Sequence, residues 1–479
     1  MSEVGGIDEL IAEVEAGPQG PTVGAFFDFD GTLIDGYSGV IAFRERLTGG
    51  QVGPEELVRT LVESFNVAQR GHDVSRLMDV AIGSLTGRPV SEVDDLSQEL
   101  WRSRIAGKVY PDARRLVAAH HRAGHTVAMA SSATRFQAAD AARDLDIEHV
   151  LVTELEDEEG ILTGQVRGPI LWGPGKAQAV VDFAAANGVD LAESYAYGNG
   201  REDVPYLETV GRPRPLNPDV GLTTEAESRG WPVHRLQRVN RLTPVTVART
   251  AASMAGLGIG VGAGLVAGLV NQDRRTALTV AAAVASELSL AAAGVKLDVV
   301  GQENLWSHRP AVFLFNHQSQ LDVPVLGSLL RRDFTAVAKK ELATDPVFAP
   351  MGWLADVAYV DRTDGRKARE ALAPAVDALR SGTSLVIAPE GTRSPTPKLL
   401  PFKKGAFHLA LQAKVPIVPI VIRNAGELMA PHGVLISSGT VQVAVLDPVD
   451  TSRWTVKTLN AKVDQVRQRY LDTLADWPS

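Results

Sequence analysis

Short apolar runs that end abruptly at polar residues recur along the first half of the chain. They lie at residues 22–27, 126–130 and 194–197. Runs of this kind are typical of buried parallel strands, and a helical pattern covers residues 176–186 between the last two. The alternation predicts a parallel α/β domain over residues 21–240, with the mainly helical residues 37–109 inserted as a cap.

The second half of the chain shows the same alternation. Strand-like runs lie at residues 311–315, 385–388 and 417–422, and a helical pattern covers residues 366–380. These runs predict a second α/β domain over residues 296–479. Residues 1–20 are acidic and lack the succession of a secretory signal, so we interpret them as a leader and expect the protein to stay in the cytosol.

An uncharged apolar run separates the two domains. At ~1.5 Å rise per residue, residues 251–270 match the ~30 Å hydrocarbon core of a bilayer. A second Ala-rich run, residues 276–295, contains Glu287. We therefore assign residues 241–295 to a linker and an apolar helical hairpin that associates with a membrane. A soluble helix pair buried in the protein is the alternative.

Two features of this hairpin bear on its packing. If both domains use cytosolic substrates, both stretches cross the bilayer or neither does, and Arg274 and Arg275 at the far turn argue mildly against crossing. A stripe of small residues also predicts close helix packing, with a homodimer through this helix as one form of it. The stripe consists of Gly256, Gly260, Gly264 and Gly268.

The amino-acid composition excludes several classes of partner and of active site. The net charge of -9 gives no general attraction to nucleic acid, and we expect no nucleic-acid partner. The chain has no cysteine, which excludes disulfides, thiolate nucleophiles and Cys-ligated zinc.

Two acids at the end of the first apolar run form the first candidate site. Asp28 and Asp30 project on the same side of an extended chain, and Gly31 permits a sharp exit. A carboxylate that attacks phosphorus needs a cation to offset charge repulsion and a second carboxyl to protonate the leaving oxygen. Asp28 could be the nucleophile that attacks phosphorus, and Asp30 could be the acid that protonates the leaving oxygen.

The segment around Asp28 resembles the first motif of the haloacid dehalogenase superfamily, and later segments resemble its other motifs in order. The resemblance implies a Rossmann-like domain with a helical cap, of the phosphoserine-phosphatase-like subfamily IB, and a Mg²⁺ site. The residues it assigns are the phosphate-binding Ser131, the charge-neutralising Lys176, and the metal ligands Asp28, Asp30, Asn199 and Asp203.

The fourth motif departs from the family pattern at Asn199, where the family has an aspartate. A neutral amide oxygen is a weaker ligand for the hard Mg²⁺ ion, and Asp203 compensates only in part. The domain is therefore expected to be a phosphomonoesterase, acting on phosphoserine or a lipid phosphate, or else a non-catalytic regulatory module.

A histidine and an aspartate after the run at residues 311–315 form the second candidate site. His317 lies at the carboxyl edge of the predicted strand, where sites collect in α/β sheets. An imidazole can remove the proton of a hydroxyl that attacks a thioester, while a carboxylate fixes its tautomer. Asp322 lies ~140° from His317 on a regular helix, so the pair can meet only if the segment is partly turn.

Groups suited to an anion follow the run at residues 385–388. Arg393, the Thr392 hydroxyl and the loop amides near Gly391 are such groups, and Lys404 adds positive charge. A phosphate-bearing acceptor would fit them, although a solvated basic loop is an alternative interpretation of Lys404.

The second site resembles the motifs of the 1-acylglycerol-3-phosphate acyltransferase family. His317 and Asp322 match the first motif, residues 358–362 resemble the second, and residues 415–419 resemble the fourth. The resemblance implies an α/β glycerolipid acyltransferase domain, a lysophosphatidic-acid-like acceptor that becomes phosphatidic acid, and an acyl-CoA or acyl-ACP donor. Glu390, Gly391 and Arg393 match the third motif, and the resemblance implies that Arg362 and Arg393 hold the acceptor. Together with Thr392 and Lys404 these are the expected substrate-binding residues.

The sequence thus favours a lysophospholipid acyltransferase on the cytoplasmic face of a membrane, fused to a phosphatase-like domain. A chain that is primarily a Mg²⁺-dependent phosphatase is one alternative. An acyltransferase with a non-catalytic first domain is another.

Overall fold

A computed structural model describes residues 4–50, 52–53, 60, 75–237, 242–339, 343–344, 352, 357–360 and 373–478. The chain divides into two compact units, Met1–Arg238 and Val239–Ser479. We call them the first and second units.

The first unit is built on a parallel five-stranded sheet in the order β4-β3-β2-β7-β8. Its central strand β2 is apolar and buried at every position, as the sequence predicts. A second sheet pairs β1 with β9, and β5 with β6 forms an antiparallel ribbon. The strands are β1 Val4–Gly5, β2 Val23–Phe27, β3 Thr126–Thr134, β4 His149–Thr153, β5 Leu155–Glu158, β6 Ile161–Val166, β7 Asp190–Tyr197, β8 Arg212–Pro213 and β9 Val233–His234.

Helices cover the sheet of the first unit, and part of the predicted cap is helical where the structure describes it. Within the described residues the helices are α1 Ile7–Ala16, α2 Ser38–Thr48, α3 Ser75–Gly83, α4 Val90–Leu100, α5 Pro111–Arg122, α6 Arg135–Asp144, α7 Pro174–Asn187, α8 Val204–Leu207 and α9 Val220–Arg229. The remaining cap residues, 51, 54–59 and 61–74, lie outside the described residues.

Two segments of the first unit differ from expectation. The expected leader contains α1, whose Leu10 and Val14 are fully buried in the unit's core, so this segment is part of the fold. The second segment, residues 211–242, is rich in Pro, Gly and Arg, which is typical of loops, yet it contains α9. Asp219 caps the start of that helix by accepting the Leu222 N–H, and the left-handed Gly230 caps its end.

The second unit is built on a seven-stranded sheet in the order β10-β16-β15-β11-β14-β12-β13. All neighbouring strands are parallel except β15 and β16. The strands are β10 Val295–Val300, β11 Val312–Phe315, β12 Phe334–Lys339, β13 Ala358–Val360, β14 Ser384–Ile387, β15 Ile417–Ile422 and β16 Gly439–Val445. The predicted runs at residues 311–315, 385–388 and 417–422 thus correspond to β11, β14 and β15, which lie side by side.

Helices pack on both faces of this sheet. Within the described residues they are α10 Pro244–Asn271, α11 Arg274–Ala293, α12 Asn304–Ser307, α13 Asp322–Leu330, α14 Ala373–Arg380, α15 Gly405–Ala413, α16 Ala425–Leu428 and α17 Leu459–Ala475. The predicted helix at residues 366–380 is described only from Ala373 onward, as α14.

The apolar hairpin consists of α10 and α11, and its glycine stripe faces inward. A methyl group on Gly260 would lie 2.1 Å from the Ala285 nitrogen, and one on Gly264 would lie 2.5 Å from the Ala277 carbonyl oxygen. Gly256 and Gly268 also face α11, where added methyl groups would lie 2.9 Å from the Leu288 carbonyl carbon and 2.5 Å from Ala277 Cβ. The stripe expected to offer a homodimer contact is therefore already covered by the same chain, because the two helices approach closely through it.

The opposite face of α10 exposes apolar side chains. Ile259 is 63% exposed, Leu269 79% and Val270 78%. Both hairpin helices are long and apolar enough to cross a membrane, by length and composition alone.

Candidate active sites

The second unit brings His317 and Asp322 together at the carboxyl end of β11. His317 follows this strand after one residue, and Asp322 is the first residue of α13. The residues between them form a turn, which meets the geometric condition that the sequence set. The Nδ1 atom of His317 lies 2.8 Å from Oδ2 of Asp322.

Asp322 is held so that it orients the imidazole. Its side chain is fully buried, and Oδ2 also accepts the backbone N–H groups of Gln318 at 2.8 Å and Ser319 at 2.9 Å. A carboxylate in this position accepts the Nδ1–H of His317, which leaves Nε2 with a free electron pair in the neutral ring. The His317 side chain is 23% exposed, so Nε2 is accessible to a substrate. The arrangement is that of a general base.

The turn that follows β14 lies against His317. Ser394 donates its backbone N–H to the His317 carbonyl at 2.7 Å. Gly391 has a φ of +75°, and a methyl group there would lie 2.9 Å from the Lys403 ammonium, so the lysine crosses this glycine closely. Thr392 is exposed at the same turn.

Glu390 does not offer a free carboxylate to a ligand. Its side chain is 2% exposed, Oε1 accepts the His317 N–H at 2.8 Å, and Oε2 accepts the Leu400 N–H at 2.9 Å. Both oxygens are thus engaged by the protein, which corrects the expectation that Glu390 binds substrate. Burial raises the pKa of Glu390 to about 7.

Two of the other predicted cationic groups are described. Arg393 is half-buried, it donates to the Pro431 carbonyl through Nη1, and burial lowers its pKa. Its remaining N–H groups leave it able to bind an anion. Lys404 is exposed at the start of α15. Arg362 lies outside the described residues, shortly after the end of β13.

Two side chains beside His317 that the sequence analysis did not single out fix its loop to the sheet. Asn316 donates to the Ile422 carbonyl and accepts the Ile422 N–H, both at 2.7 Å. Ser319 donates to the Met429 carbonyl at 2.7 Å. Both residues are buried polar groups within the His317 motif, and a buried polar residue in a loop needs such partners. That requirement is the signal that could have identified them.

The first unit gathers Asp28, Lys176 and Asp203 at the carboxyl end of β2. The Lys176 ammonium lies 3.0 Å from Asp28 Oδ1 and 2.6 Å from Asp203 Oδ1, and all three side chains are buried. Burial alone would lower the pKa of Lys176, but the two carboxylates raise it well above its ordinary value. Lys176 is therefore a permanent cation beside the predicted nucleophile. Ser131 lies in the neighbouring strand β3 and is also buried.

Asp30 is placed as an acid. Its carboxylate accepts the Ser38 N–H at 2.7 Å and the Ser38 hydroxyl at 3.0 Å. Burial raises its pKa to about 7, so it can hold a proton near neutral pH. Burial also raises the pKa of Asp28, an effect that the nearby Lys176 opposes.

The donor set for Mg²⁺ is smaller than the motifs imply. The Thr32 hydroxyl lies 3.4 Å from Asp28 Oδ2 and 3.3 Å from Asn199 Oδ1, so both oxygens surround one hydroxyl, and carboxylate and amide oxygens are donors that Mg²⁺ accepts. Asp30 is engaged by Ser38. Asp203 accepts the Asn199 N–H at 3.0 Å in addition to its ion pair with Lys176. Among the described residues, no three His, Cys, Asp or Glu side chains group as metal ligands.

Glu202 is a further acid at this site that the sequence analysis did not assign. It precedes Asp203 in a single 3₁₀ turn, and its carboxylate lies over Gly200. Burial, together with the neighbouring Asp203, raises its pKa to about 7. Its position in the fourth motif, three residues after Asn199, could have identified it.

Each unit matches a protein-family model. Residues 25–208 match the model described as haloacid dehalogenase-like hydrolase, and residues 296–423 match the one described as acyltransferase. These ranges contain all the described residues of the two candidate sites.

Each of the named relatives matches only part of the chain. Over 189 residues the chain is 37% identical to a 1-acyl-sn-glycerol-3-phosphate acyltransferase of Saccharomyces cerevisiae, a match that covers 38% of this chain and 61% of the relative. The chain thus spans less than two thirds of that relative's length. It is 33% identical to an inhibition of morphological differentiation protein of Streptomyces azureus, covering 54% of this chain and 96% of the relative. It is 32% identical to a phosphoserine phosphatase of Mycobacterium tuberculosis, a match that covers 50% of this chain and 78% of the relative.

Proposed function

We propose that this chain, which belongs to the haloacid dehalogenase-like hydrolase family through residues 25–208 and to the acyltransferase family through residues 296–423, transfers an acyl group from a thioester to the hydroxyl of a lysophospholipid. The contact between His317 Nδ1 and the buried Asp322 supports this most strongly. It leaves a base at an accessible position of the second unit.

The proposed reaction needs no covalent bond to the protein. Nε2 of His317 accepts the proton of the acceptor hydroxyl as its oxygen attacks the thioester carbonyl carbon. The new carbon–oxygen bond forms, the carbon–sulfur bond breaks, and the leaving thiolate takes the proton back from Nε2. Asp322 stabilises the imidazolium during these steps.

The acceptor we propose is 1-acylglycerol-3-phosphate, which would become phosphatidic acid. Arg393 retains free N–H groups beside the His317 turn, and guanidinium groups suit phosphate oxygens. Arg362 and Lys404 would add positive charge. Acyl-CoA or acyl-ACP would serve as the donor.

We also propose that α10 and α11 attach the chain to the cytoplasmic face of a membrane. The exposed apolar side chains of α10, Ile259, Leu269 and Val270 among them, would contact lipid. Both helices would cross the bilayer or neither would, as the sequence argument requires.

The first unit supports a second activity, hydrolysis of a phosphomonoester. Asp28 would attack phosphorus, Asp30 would protonate the leaving oxygen, and Lys176 and Ser131 would bind the phosphate. Asp28 and Asn199 would hold Mg²⁺, which when bound offsets the charge repulsion between nucleophile and phosphate. The placement of Asp30 against Ser38, together with a pKa that burial raises to about 7, supports this activity over a purely regulatory role.

The test of the main proposal is acyl transfer by the full-length chain. Purified protein in lipid vesicles is given radiolabelled acyl-CoA and lysophosphatidic acid, and phosphatidic acid is quantified. Loss of product formation in His317→Ala supports the proposal, and wild-type protein that forms no product with either acyl-CoA or acyl-ACP contradicts it.

A further inference from the structure

The backbone of His317 is held on both sides by one segment, residues 390–394. Its N–H donates to Oε1 of Glu390 at 2.8 Å, and its carbonyl accepts the Ser394 N–H at 2.7 Å. Glu390 and His317 are 73 residues apart in sequence and follow the adjacent strands β14 and β11. The position of the histidine therefore depends on the turn after β14.

Glu390 also ties this turn to a third segment. Its Oε2 accepts the Leu400 N–H at 2.9 Å, and Arg467 of α17 donates to the carbonyl of Leu399 at 3.1 Å and to that of Leu400 at 3.4 Å. A chain of hydrogen bonds thus runs from α17 through the turn at residues 399–400 to Glu390 and His317. Each link is a directional contact to backbone, so it constrains where the imidazole lies.

We propose that Glu390 is a positioning residue that fixes the His317 backbone, while Asp322 fixes its ring. This inference rests on the proposed acyl transfer. Two carboxylates then constrain one base by different contacts, one at Nδ1 and one at the backbone N–H. Such pre-organisation matters because a misplacement of about 1 Å can slow a reaction about 100-fold.

The charge around Glu390 makes this role sensitive to pH. Two backbone N–H groups donate to its oxygens, so the ionised form is the one that holds His317. Burial raises the pKa of Glu390 most and the nearby Asp322 adds to this, whereas the two N–H donors and Arg467 lower it, and the net pKa is about 7. Protonation of Glu390 is therefore expected to loosen His317 near neutral pH.

The first test separates positioning from substrate binding through steady-state kinetics. We expect Glu390→Gln to lower kcat by about 10- to 100-fold while the KM values for lysophosphatidic acid and acyl-CoA change less than about threefold. Arg467→Met leaves Glu390 intact, so it should lower kcat by a smaller factor than Glu390→Gln does, again with nearly unchanged KM values. The exposed Glu303→Gln is the matched control. A raised KM with unchanged kcat in Glu390→Gln would show substrate binding and overturn the inference.

The second test uses pH. The acid limb of log(kcat/KM) against pH should be steeper in the wild type than in Glu390→Gln. Both Glu390 and His317 must be deprotonated for activity in the wild type, whereas only His317 must be deprotonated in the variant. Limbs of equal slope and midpoint would contradict the inference.

The third test does not depend on acyl transfer. Carbethoxylation of His317 by diethylpyrocarbonate, followed by mass spectrometry of the folded chain, should proceed at a changed rate in Glu390→Gln and at the wild-type rate in Glu303→Gln. A wild-type chain without acyl transfer would contradict the proposed function, whereas an active chain whose kinetics and carbethoxylation ignore Glu390 would contradict the positioning role alone.

Discussion

Gly327 lies directly against Ser286, so that a methyl group on Gly327 would come within 2.2 Å of the Ser286 hydroxyl oxygen. Gly327 belongs to α13, which begins at Asp322, and Ser286 belongs to α11 of the apolar hairpin. The hairpin therefore supports the helix that carries the aspartate of the second site.

Substitution of Gly327 by Ala should disturb that support. Added volume at a close contact typically costs about 1–3 kcal/mol. We expect Gly327→Ala to lower both the melting temperature of the second unit and the rate of acyl transfer. Because the obstacle is the Ser286 hydroxyl, the double variant Gly327→Ala/Ser286→Ala should recover part of each loss. Wild-type values in the single variant would contradict this packing.

The glycine stripe of α10 offers a matched pair of substitutions. A methyl group on Gly260 would lie 2.1 Å from the Ala285 nitrogen, whereas Gly262 has nothing within 4 Å. Gly260→Ala should separate the hairpin helices and lower thermal stability. Gly262→Ala should be neutral or stabilise the helix by about 0.5–1 kcal/mol. Thermal unfolding in detergent provides the comparison, and equal effects of the two variants would place the helix contact elsewhere.

The Mg²⁺ site of the first unit should respond to one added charge. Asn199→Asp gives the cation a second carboxylate beside Asp28, and hard divalent cations prefer charged oxygen ligands. We expect tighter Mg²⁺ binding in isothermal titration and faster hydrolysis of p-nitrophenyl phosphate. Asp28→Asn should remove the hydrolysis in either background. Unchanged Mg²⁺ affinity in Asn199→Asp would mean that residue 199 does not face the cation.

Two buried histidines in the first unit predict a dependence of stability on pH. His120 Nδ1 lies 2.7 Å from His125 Nδ1, and His125 Nε2 lies 2.8 Å from the Pro18 carbonyl. Since that carbonyl can only accept, His125 carries its proton on Nε2, and His120 donates from Nδ1. His120 Nε2 then accepts the Tyr197 hydroxyl at 2.8 Å. The network is complete only when both rings are neutral.

Acid should therefore destabilise the first unit. Burial lowers the pKa of His120 well below its ordinary value of 6.5, so the unfolded chain binds a proton that the folded chain does not. The stabilisation is complete above pH 6.5 and is lost as pH falls, by about 1.4 kcal/mol per pH unit for one histidine. The free energy of unfolding of the first unit, measured by urea denaturation with hydrogen exchange as the probe, should fall with decreasing pH in the wild type and less steeply in His120→Gln. Equal pH dependence in the two proteins would contradict the assignment to His120.

The parts of the sites that lie at strand ends could be predicted from sequence. Asp28 and His317 each follow an apolar run, and the carboxyl ends of parallel strands share one edge of a sheet. The fold places both residues there. The turn between His317 and Asp322 was also a stated condition, because a regular helix would have kept the two apart.

Contacts between distant segments could not be predicted in this way. Nothing in the residue pattern indicates that Glu390 accepts the His317 N–H, since that contact depends on the order of strands in the sheet. The stripe containing Gly260 predicts a close helix contact but not which helix makes it. Helix α1 could have been predicted, because Ile7, Leu10, Ile11 and Val14 recur at helical spacing and pack on the core. It was missed because the acidic residues 1–20 were interpreted by composition alone, as a leader.

The most direct test of the central claim is the acyl-transfer rate of Asp322→Asn compared with that of His317→Ala. Both variants should lose nearly all turnover and still bind acyl-CoA. His317→Ala removes the base, and Asp322→Asn removes the carboxylate that orients it. Turnover near the wild-type rate in His317→Ala would contradict the assignment of the second unit as an acyltransferase that uses His317 as its base.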